Sequence, residues 1–151
     1  MEDERGIVET MLQLAQVHLV LGATTLAAGI LDEAERLTTQ DDLVSFRSQS
    51  LYLRGMQMLS GNNYEAARQF FAQAEDCARE GGENAHRLLL KVRLAECDHH
   101  MEEHGAATAA ALEVLELGGK GSHPTITAEA YLLLGMIAKA VPSSIQESAL
   151  T

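Results

Sequence analysis

The sequence predicts an all-α protein, and its composition, the scarcity of proline and an internal repeat are the observations that predict it. Of the 151 residues, 46% are apolar, which suits one domain with a continuous core. Only Pro124 and Pro142 would interrupt a helix, whereas the good helix formers Ala, Leu, Glu and Gln are abundant. In addition, residues 11–35 align without a gap with residues 51–75, at an offset of 40.

The two copies keep small residues and one bulky apolar residue in the same places: Gly55, Ala67 and Phe71 in the second copy, and Ala15, Ala27 and Leu31 in the first. Antiparallel helices approach closely only where the side chains at their crossing are small. We therefore predict that Gly55 and Ala67 mark a crossing and that Phe71 fills the space one turn further on. The intervening SGNNY predicts the turn, because Gly and Asn accept positive φ values.

A third copy allows two registers. If Gly105 forms the turn, Asp98 lies at the close crossing and the packing face comprises Leu94, Cys97, Met101, Ala110, Val114 and Leu117. If the period is strictly 40, Ala95 and Ala107 form the crossing and Gly135 forms the next one. We favour the first register because glycine is the usual residue of such turns.

The pattern predicts helices over 4–21, 23–38, 41–60, 63–81, 83–103, 105–118 and 124–140, with a short eighth helix from 142. The connections TTQDD, EGGEN and GGKGSHP are rich in capping and helix-breaking residues. They are too short to separate domains. We expect a single domain over 1–151, with repeats at about 4–40, 41–82 and 83–120 and a partial repeat at 122–151.

These spacings resemble the tetratricopeptide repeat, most closely at Gly55, Tyr64, Ala67, Phe71 and Ala74. The resemblance implies a right-handed solenoid of antiparallel helix hairpins, with about 3.5 repeats and 7–8 helices. The chain departs from the usual pattern because its period is near 40 rather than about 34, and because the proline that commonly closes each repeat is absent. A period of 40 is also compatible with helix pairs of the HEAT type.

The charge of the chain narrows the choice of partner and compartment. The net charge is −11, and the eleven basic residues are scattered among twenty-two acidic ones, which argues against a nucleic-acid partner. No apolar run approaches the length of a membrane span, and the acidic start MEDERG is unlike a signal peptide. Two cysteines without a disulfide framework suit a reducing compartment. We expect a cytoplasmic protein, with the nucleus as the alternative, and no membrane partner.

The resemblance implies that a partner binds the concave surface, which the first helix of each repeat lines. Ten residues are expected in this groove: Leu12, Gln16, Leu19, Tyr52, Met56, Leu59, Val92, His99, Leu132 and Met136. Glu9, Gln49, Glu129 and Lys139 belong to the same stripe. Such an apolar stripe suits an amphipathic helix or an apolar peptide. The alternative is that these side chains pack on one another within a tightly wound superhelix.

The stretch CDHHMEEH, residues 97–104, is the candidate for metal chemistry. On one helix, Cys97, His100 and His104 share a face from which three side chains could reach one zinc ion. The competing interpretation, which we favour, places Cys97 in the core and the histidines at a polar helix end. The sequence contains neither a nucleophile elbow nor a phosphate-binding loop. We therefore expect no cofactor, no metal and no enzymatic activity.

Two functions fit these observations. The first is a non-enzymatic scaffold or adaptor that holds a partner peptide, a helix or neighbouring subunits through an apolar groove, within a larger protein or complex. The alternative is a small acidic chaperone of the tetratricopeptide type for a secreted or assembling client. The last hairpin offers little to cover helix seven, so we also expect either a longer natural chain or self-association into a homo-oligomer.

Overall fold

The computed structural model describes residues 2–38, 46–81, 84–118 and 123–140. These residues form seven α-helices and no strand, which confirms the all-α prediction. The helices are α1 (Glu2–Val20), α2 (Thr24–Leu37), α3 (Arg47–Ser60), α4 (Tyr64–Gly81), α5 (Asn84–His100), α6 (His104–Leu117) and α7 (Pro124–Ala140). The predicted start of helix three at 41 and the predicted eighth helix from 142 lie outside the described residues.

The turns of the three hairpins α1–α2, α3–α4 and α5–α6 have the same backbone geometry. Gly22, Asn62 and Glu102, spaced 40 residues apart, have positive φ values of 81°, 61° and 64°. At each turn the following amide donates a hydrogen bond to a carbonyl five residues earlier: Ala23 to His18 (2.8 Å), Asn63 to Met58 (2.9 Å) and Glu103 to Asp98 (2.8 Å). This is the Schellman arrangement that closes helix ends. The period of the three hairpins is therefore 40 residues.

The register that we favoured for the third hairpin is wrong. Gly105 lies in the first turn of α6 and does not form the connection. Ala95 and Ala107, which the strict period places at the crossing, are completely buried. Met101, predicted on the packing face, is exposed, as is Leu117. Asp98 occupies the position of Met58 and His18, where its Oδ1 atom accepts a hydrogen bond from Arg68 Nε at 2.7 Å.

The crossing of α3 and α4 is as close as the small residues predict. The Phe71 ring fills the space that a side chain at Gly55 would occupy, because a Cβ atom built there would lie 2.5 Å from Phe71 Cε1. Ala67 and Phe71 are both completely buried. A hydrogen bond of 2.7 Å from Ser48 Oγ to the Ala74 carbonyl also joins these two helices. Phe71 is therefore packed directly against the backbone of α3.

The core follows the order of the helices. Consecutive helices pack together from α1 to α7, and α1 also contacts α3, as α5 contacts α7. One apolar cluster joins α1, α2 and the start of α3, and a second joins α3, α4 and α5. Further clusters join α5, α6 and α7. Within the part of the chain that the structure describes, no helix combines the length and apolarity needed to cross a membrane.

Candidate functional site

The first helices of successive hairpins enclose a cleft in two adjoining parts. The larger part, about 450 Å³, lies between α1, α3 and the start of α5 and extends from Glu9 to Leu89. The smaller part, about 250 Å³, lies between the C-terminal halves of α1 and α3. Gln16, Tyr52 and Leu53 line both parts, so that they form one continuous surface.

The walls of the cleft are mainly apolar. Leu19, Val20, Met56 and Leu59 line the smaller part, with Ser60 at its end. In the larger part, Leu12, Phe46 and Leu89 are interspersed with glutamines. Among the residues that the structure describes, the lining carries one carboxylate, that of Glu9, and one imidazole, that of His86. Shape and apolar contact, rather than fixed charge, would therefore determine what binds there.

Tyr52 lies at the centre of the cleft, and its ring is held on three sides. The ring is tilted against Phe71 at 5.8 Å and meets His86 edge-on at 5.7 Å between ring centroids. It also packs against both the first and the second apolar clusters. Its hydroxyl oxygen accepts a hydrogen bond of 3.4 Å from Arg93 Nε. Tyr52 is therefore both a wall of the cleft and a structural link between hairpins.

Arg93 connects three of the helices that form this side of the molecule. Besides Tyr52 on α3, its guanidinium contacts Glu96 on α5 at 3.1 Å and Glu129 on α7 at 3.2 Å. Burial lowers the pKa of Arg93, but the hydroxyl of Tyr52 and the two carboxylates outweigh this effect and raise the pKa overall. The guanidinium therefore remains charged and fixes the relative positions of α3, α5 and α7.

The structure brings six of the ten predicted groove residues to the cleft, and these are Leu12, Gln16, Leu19, Tyr52, Met56 and Leu59. Val92 does not belong to this surface: it is 2% exposed and packs with Val114 and Ala130, because both α6 and α7 cover that side of α5. Leu132 and Met136 are exposed on α7, away from the cleft lining. His99 lies at the α5–α6 turn.

The residues proposed as weak zinc ligands are not brought together. Cys97 is completely buried in the second apolar cluster, and burial raises the pKa of its thiol to about 12. His100 stacks on Tyr64, with ring centroids 4.4 Å apart, while His104 Nδ1 lies 3.3 Å from His99 Nδ1. Among the described residues, no three or more Cys, His, Asp or Glu side chains are placed to hold a metal ion.

Several lining residues were missed by the sequence reasoning. Leu89 occupies the same repeat position as Glu9 and Gln49, so the strict period of 40 would have found it. The same period equates Gln13 with Leu53, and Phe46 with His86. The contacts of Arg93 could not be predicted from the sequence, because a basic residue on a polar helix face is ordinarily solvated.

A second cleft, about 600 Å³, lies on the other side of α3, between α2 and α4. Its lining is more highly charged and includes Glu35, Arg47 and Asp76. The hydroxyl oxygen of Ser50, also in the lining, is buried and has no hydrogen-bond partner among the described residues. Among the described residues, fewer charged side chains line the cleft around Tyr52 than line this second cleft.

Comparison with known proteins adds no family assignment: no protein-family model and no curated protein sequence matches this chain.

Proposed function

We propose that this protein is a non-enzymatic interaction scaffold, which holds an apolar or amphipathic helical segment of a partner protein in the cleft between α1 and α3. The observation that carries the proposal is the continuous cleft around Tyr52, formed by first helices of successive hairpins, whose smaller part is lined mainly by apolar side chains. A helix laid in such a groove would present anchors at the spacing of helical turns to Leu19, Met56 and Leu59.

The proposal includes the arrangement of the whole chain as a right-handed solenoid of tetratricopeptide-like hairpins with a long period. Two features support this arrangement. The three turns repeat at 40 residues with the same hydrogen bonds. The helix packing also runs from neighbour to neighbour along the chain. In a solenoid of this kind, successive first helices line one face, which becomes the binding surface.

Met56 and Leu59 are the best positions at which to test the cleft. Both side chains are partly buried and pack against the second apolar cluster while facing the cleft. Tyr52 is less suitable, because its removal would also break the contacts with Phe71, His86 and Arg93. Each glutamate introduced at 56 or 59 would place a charge on the apolar wall and oppose docking of an apolar segment.

The experiment combines photo-crosslinking with these variants. A photoreactive phenylalanine analogue replaces the exposed Gln16 in the cleft or, as a control, the exposed Glu113 on α6. We expect one partner species to be crosslinked from position 16 and not from position 113. We also expect Met56→Glu/Leu59→Glu to abolish this crosslink, and mass spectrometry to map it to a helical or apolar segment of the partner.

Leu112→Glu, an exposed apolar position on α6, is the matched control for the double variant. Circular dichroism must show that both variants retain the helical fold. Equal crosslinking from positions 16 and 113, or capture that survives the double variant, would place the interaction surface elsewhere. Recovery of a single secreted client without stable complex subunits would favour a chaperone over a scaffold.

A further inference from the structure

The outer side of α1 and the first residue of the turn after it carry an exposed apolar stripe, which we call the α1 patch: Ile7, Leu14 and Val17 on the helix and Leu21 in the turn. Their exposed fractions range from 46% for Leu14 to 73% for Leu21. Leu26, at the start of α2, is exposed beside the same hairpin turn. Single exposed apolar residues are ordinary on protein surfaces, but a contiguous stripe along one helix indicates an interaction surface.

The 40-residue period shows what kind of surface this is. Leu14 occupies the same repeat position as Leu94 and Leu134, and Val17 the same position as Cys97 and Ile137. In α5 and α7 these residues pack into the core against the preceding helix, α4 or α6. The equivalent position in α3 is polar, and there Arg54 pairs with Glu35 on the preceding helix, α2. The α1 patch is thus the face of α1 that corresponds to the faces by which later first helices pack against the helix before them. Among the described residues, no helix packs against this face of α1.

The charge distribution distinguishes between possible partners. Residues 10–31 contain no Asp, Glu, Lys or Arg, in a chain of which 22% of the residues are charged. A basic partner would therefore gain no electrostatic attraction from the patch itself. The chain has a net charge of −11, so most of its surface would repel a second copy of the same chain. The uncharged α1 patch would not add to this repulsion. The cores of protein interfaces are depleted in charge in the same way.

The spacing of the patch is self-complementary. Ile7, Leu14 and Leu21 recur every seven residues, with Val17 between the last two, which is the spacing of a seam between paired helices. In an antiparallel pair centred on Leu14, Ile7 of one copy lies beside Leu21 of the other. A parallel pair would instead bring Glu4 of both copies to the same end of the pair, where the like charges repel.

We propose that the α1 patch is the interface of an isologous dimer, in which α1 packs antiparallel against α1 of a second copy of this chain. The same surface then serves both partners, and the dimer closes without leaving a free patch. This inference goes beyond the proposed scaffold function, because it concerns the outer side of α1 and is independent of what occupies the cleft.

Sedimentation equilibrium or light scattering from about 1 to about 100 µM tests the dimer. We expect the wild-type chain to have the mass of two chains at the upper end of this range. Leu14→Glu/Val17→Glu should weaken association at least about a hundredfold, because it buries charge at the centre of the seam. Leu112→Glu, at a position 53% exposed compared with 52% for Val17, is the matched control and should leave the mass unchanged.

Disulfide crosslinking tests the orientation. In a Cys77→Ser background, Leu14→Cys should form a disulfide-linked dimer on mild oxidation, because the two-fold axis brings residue 14 of both copies together. Leu112→Cys should form no disulfide-linked dimer under the same conditions, because the two-fold axis does not bring residue 112 of the two copies together. Met56→Glu/Leu59→Glu, which alters the cleft, should not change the dimer mass, so a failure of the scaffold proposal is separable from a failure of this one.

Three outcomes would overturn the dimer. The first is a wild-type monomer throughout the concentration range, including the case in which the patch instead captures a different protein. The second is association that persists in Leu14→Glu/Val17→Glu while circular dichroism shows an intact fold. The third is open-ended growth beyond two chains, which would indicate a heterologous contact instead of an isologous one.

Discussion

Gly55 is the residue at which the packing leaves least room. Gly55→Ala would place a methyl group within 3 Å of the Phe71 ring, which is itself completely buried and cannot retreat into solvent. We predict a loss of about 1–3 kcal/mol in unfolding free energy, measured by urea denaturation. Gly29→Ala is the control: apart from its chain neighbours and the backbone of α2, no atom of the described residues lies within 4 Å of a Cβ built there, so the higher helix propensity of alanine should stabilise the fold by about 0.5–1 kcal/mol. Destabilisation by both variants would contradict this account.

Glu102 is a second residue whose backbone conformation has a predictable cost. It adopts the same left-handed geometry as Gly22 and Asn62, but without the conformational freedom of glycine or the tolerance of asparagine. Glu102→Gly should therefore raise the unfolding free energy by about 1 kcal/mol. Glu113→Gly, in the interior of α6, should lower it by a similar amount. An equal loss in both variants would show that the turn stores no strain.

At the scale of the helices, Arg93 is the residue that links α3, α5 and α7. Its side chain is largely buried, so Arg93→Ala would remove three polar contacts and leave Glu129 and Tyr52 partly desolvated. We predict a loss of about 1–3 kcal/mol in unfolding free energy. Arg36→Ala, which breaks the exposed pair with Glu33 on α2, should lower the unfolding free energy by clearly less, because solvent screens that pair. If Arg93→Ala and Arg36→Ala lowered the unfolding free energy equally, the contacts of Arg93 would contribute no more to stability than an exposed ion pair.

The joint between α5 and α6 should respond to pH. Burial lowers the pKa of His99 below its ordinary value of 6.5, and the neighbouring His100 and His104 lower it further, against the opposing effect of Glu96. The unfolded chain therefore binds this proton more readily than the folded chain. The stabilisation is complete above about pH 6.5 and is lost as the pH falls through the pKa of the folded state.

Urea denaturation from about pH 7 to about pH 5 checks this prediction. We expect the unfolding free energy of the wild-type chain to decrease over this interval, and His99→Gln to decrease less steeply. Parallel curves for the two proteins would exclude His99 as the source of the dependence.

The helices were predictable from the sequence, but one connection was not. Gly and Asn residues predict the turn at 61–63, whereas the turn at 101–103 is formed by Met, Glu and Glu, which are not typical of turns. Its hydrogen bonds are made by the backbone alone, so no side chain signals it. Gly105 was a misleading cue, because a glycine is also tolerated in the first turn of a helix.

The cleft could also be predicted only in part from the sequence. The residues on α1 and α3 could be placed, because the two best-aligned copies define their faces. Val92 could not, since its burial depends on Val114 and Ala130 approaching from two later helices. Such contacts depend on tertiary packing, and the apolar periodicity of α5 alone does not indicate which of its faces later helices cover.

At the scale of the whole molecule, the distribution of charge separates two kinds of surface. Acidic residues occur throughout the later hairpins, while residues 10–31 carry none. The cleft and the α1 patch both draw on this uncharged stretch, the first through Gln16 and Leu19 and the second through Leu14 and Val17. The cleft should therefore bind an uncharged partner segment with little dependence on salt, since few fixed charges take part. Salt should strengthen the dimer, because it screens the repulsion between two chains that each carry a net charge of −11.

The packing of each helix mainly against its sequence neighbours has a mechanical consequence. When the two ends of the molecule are pulled apart in optical tweezers, the contacts between neighbouring helices should break one after another. They can break separately because few contacts join helices that are distant in the sequence. We expect the molecule to lengthen in successive steps near the 40-residue period, each releasing about 14 nm of contour length before the folded span is subtracted. A single rupture of the whole chain would contradict this picture. Such a chain could yield at one end under load while the remainder keeps its shape.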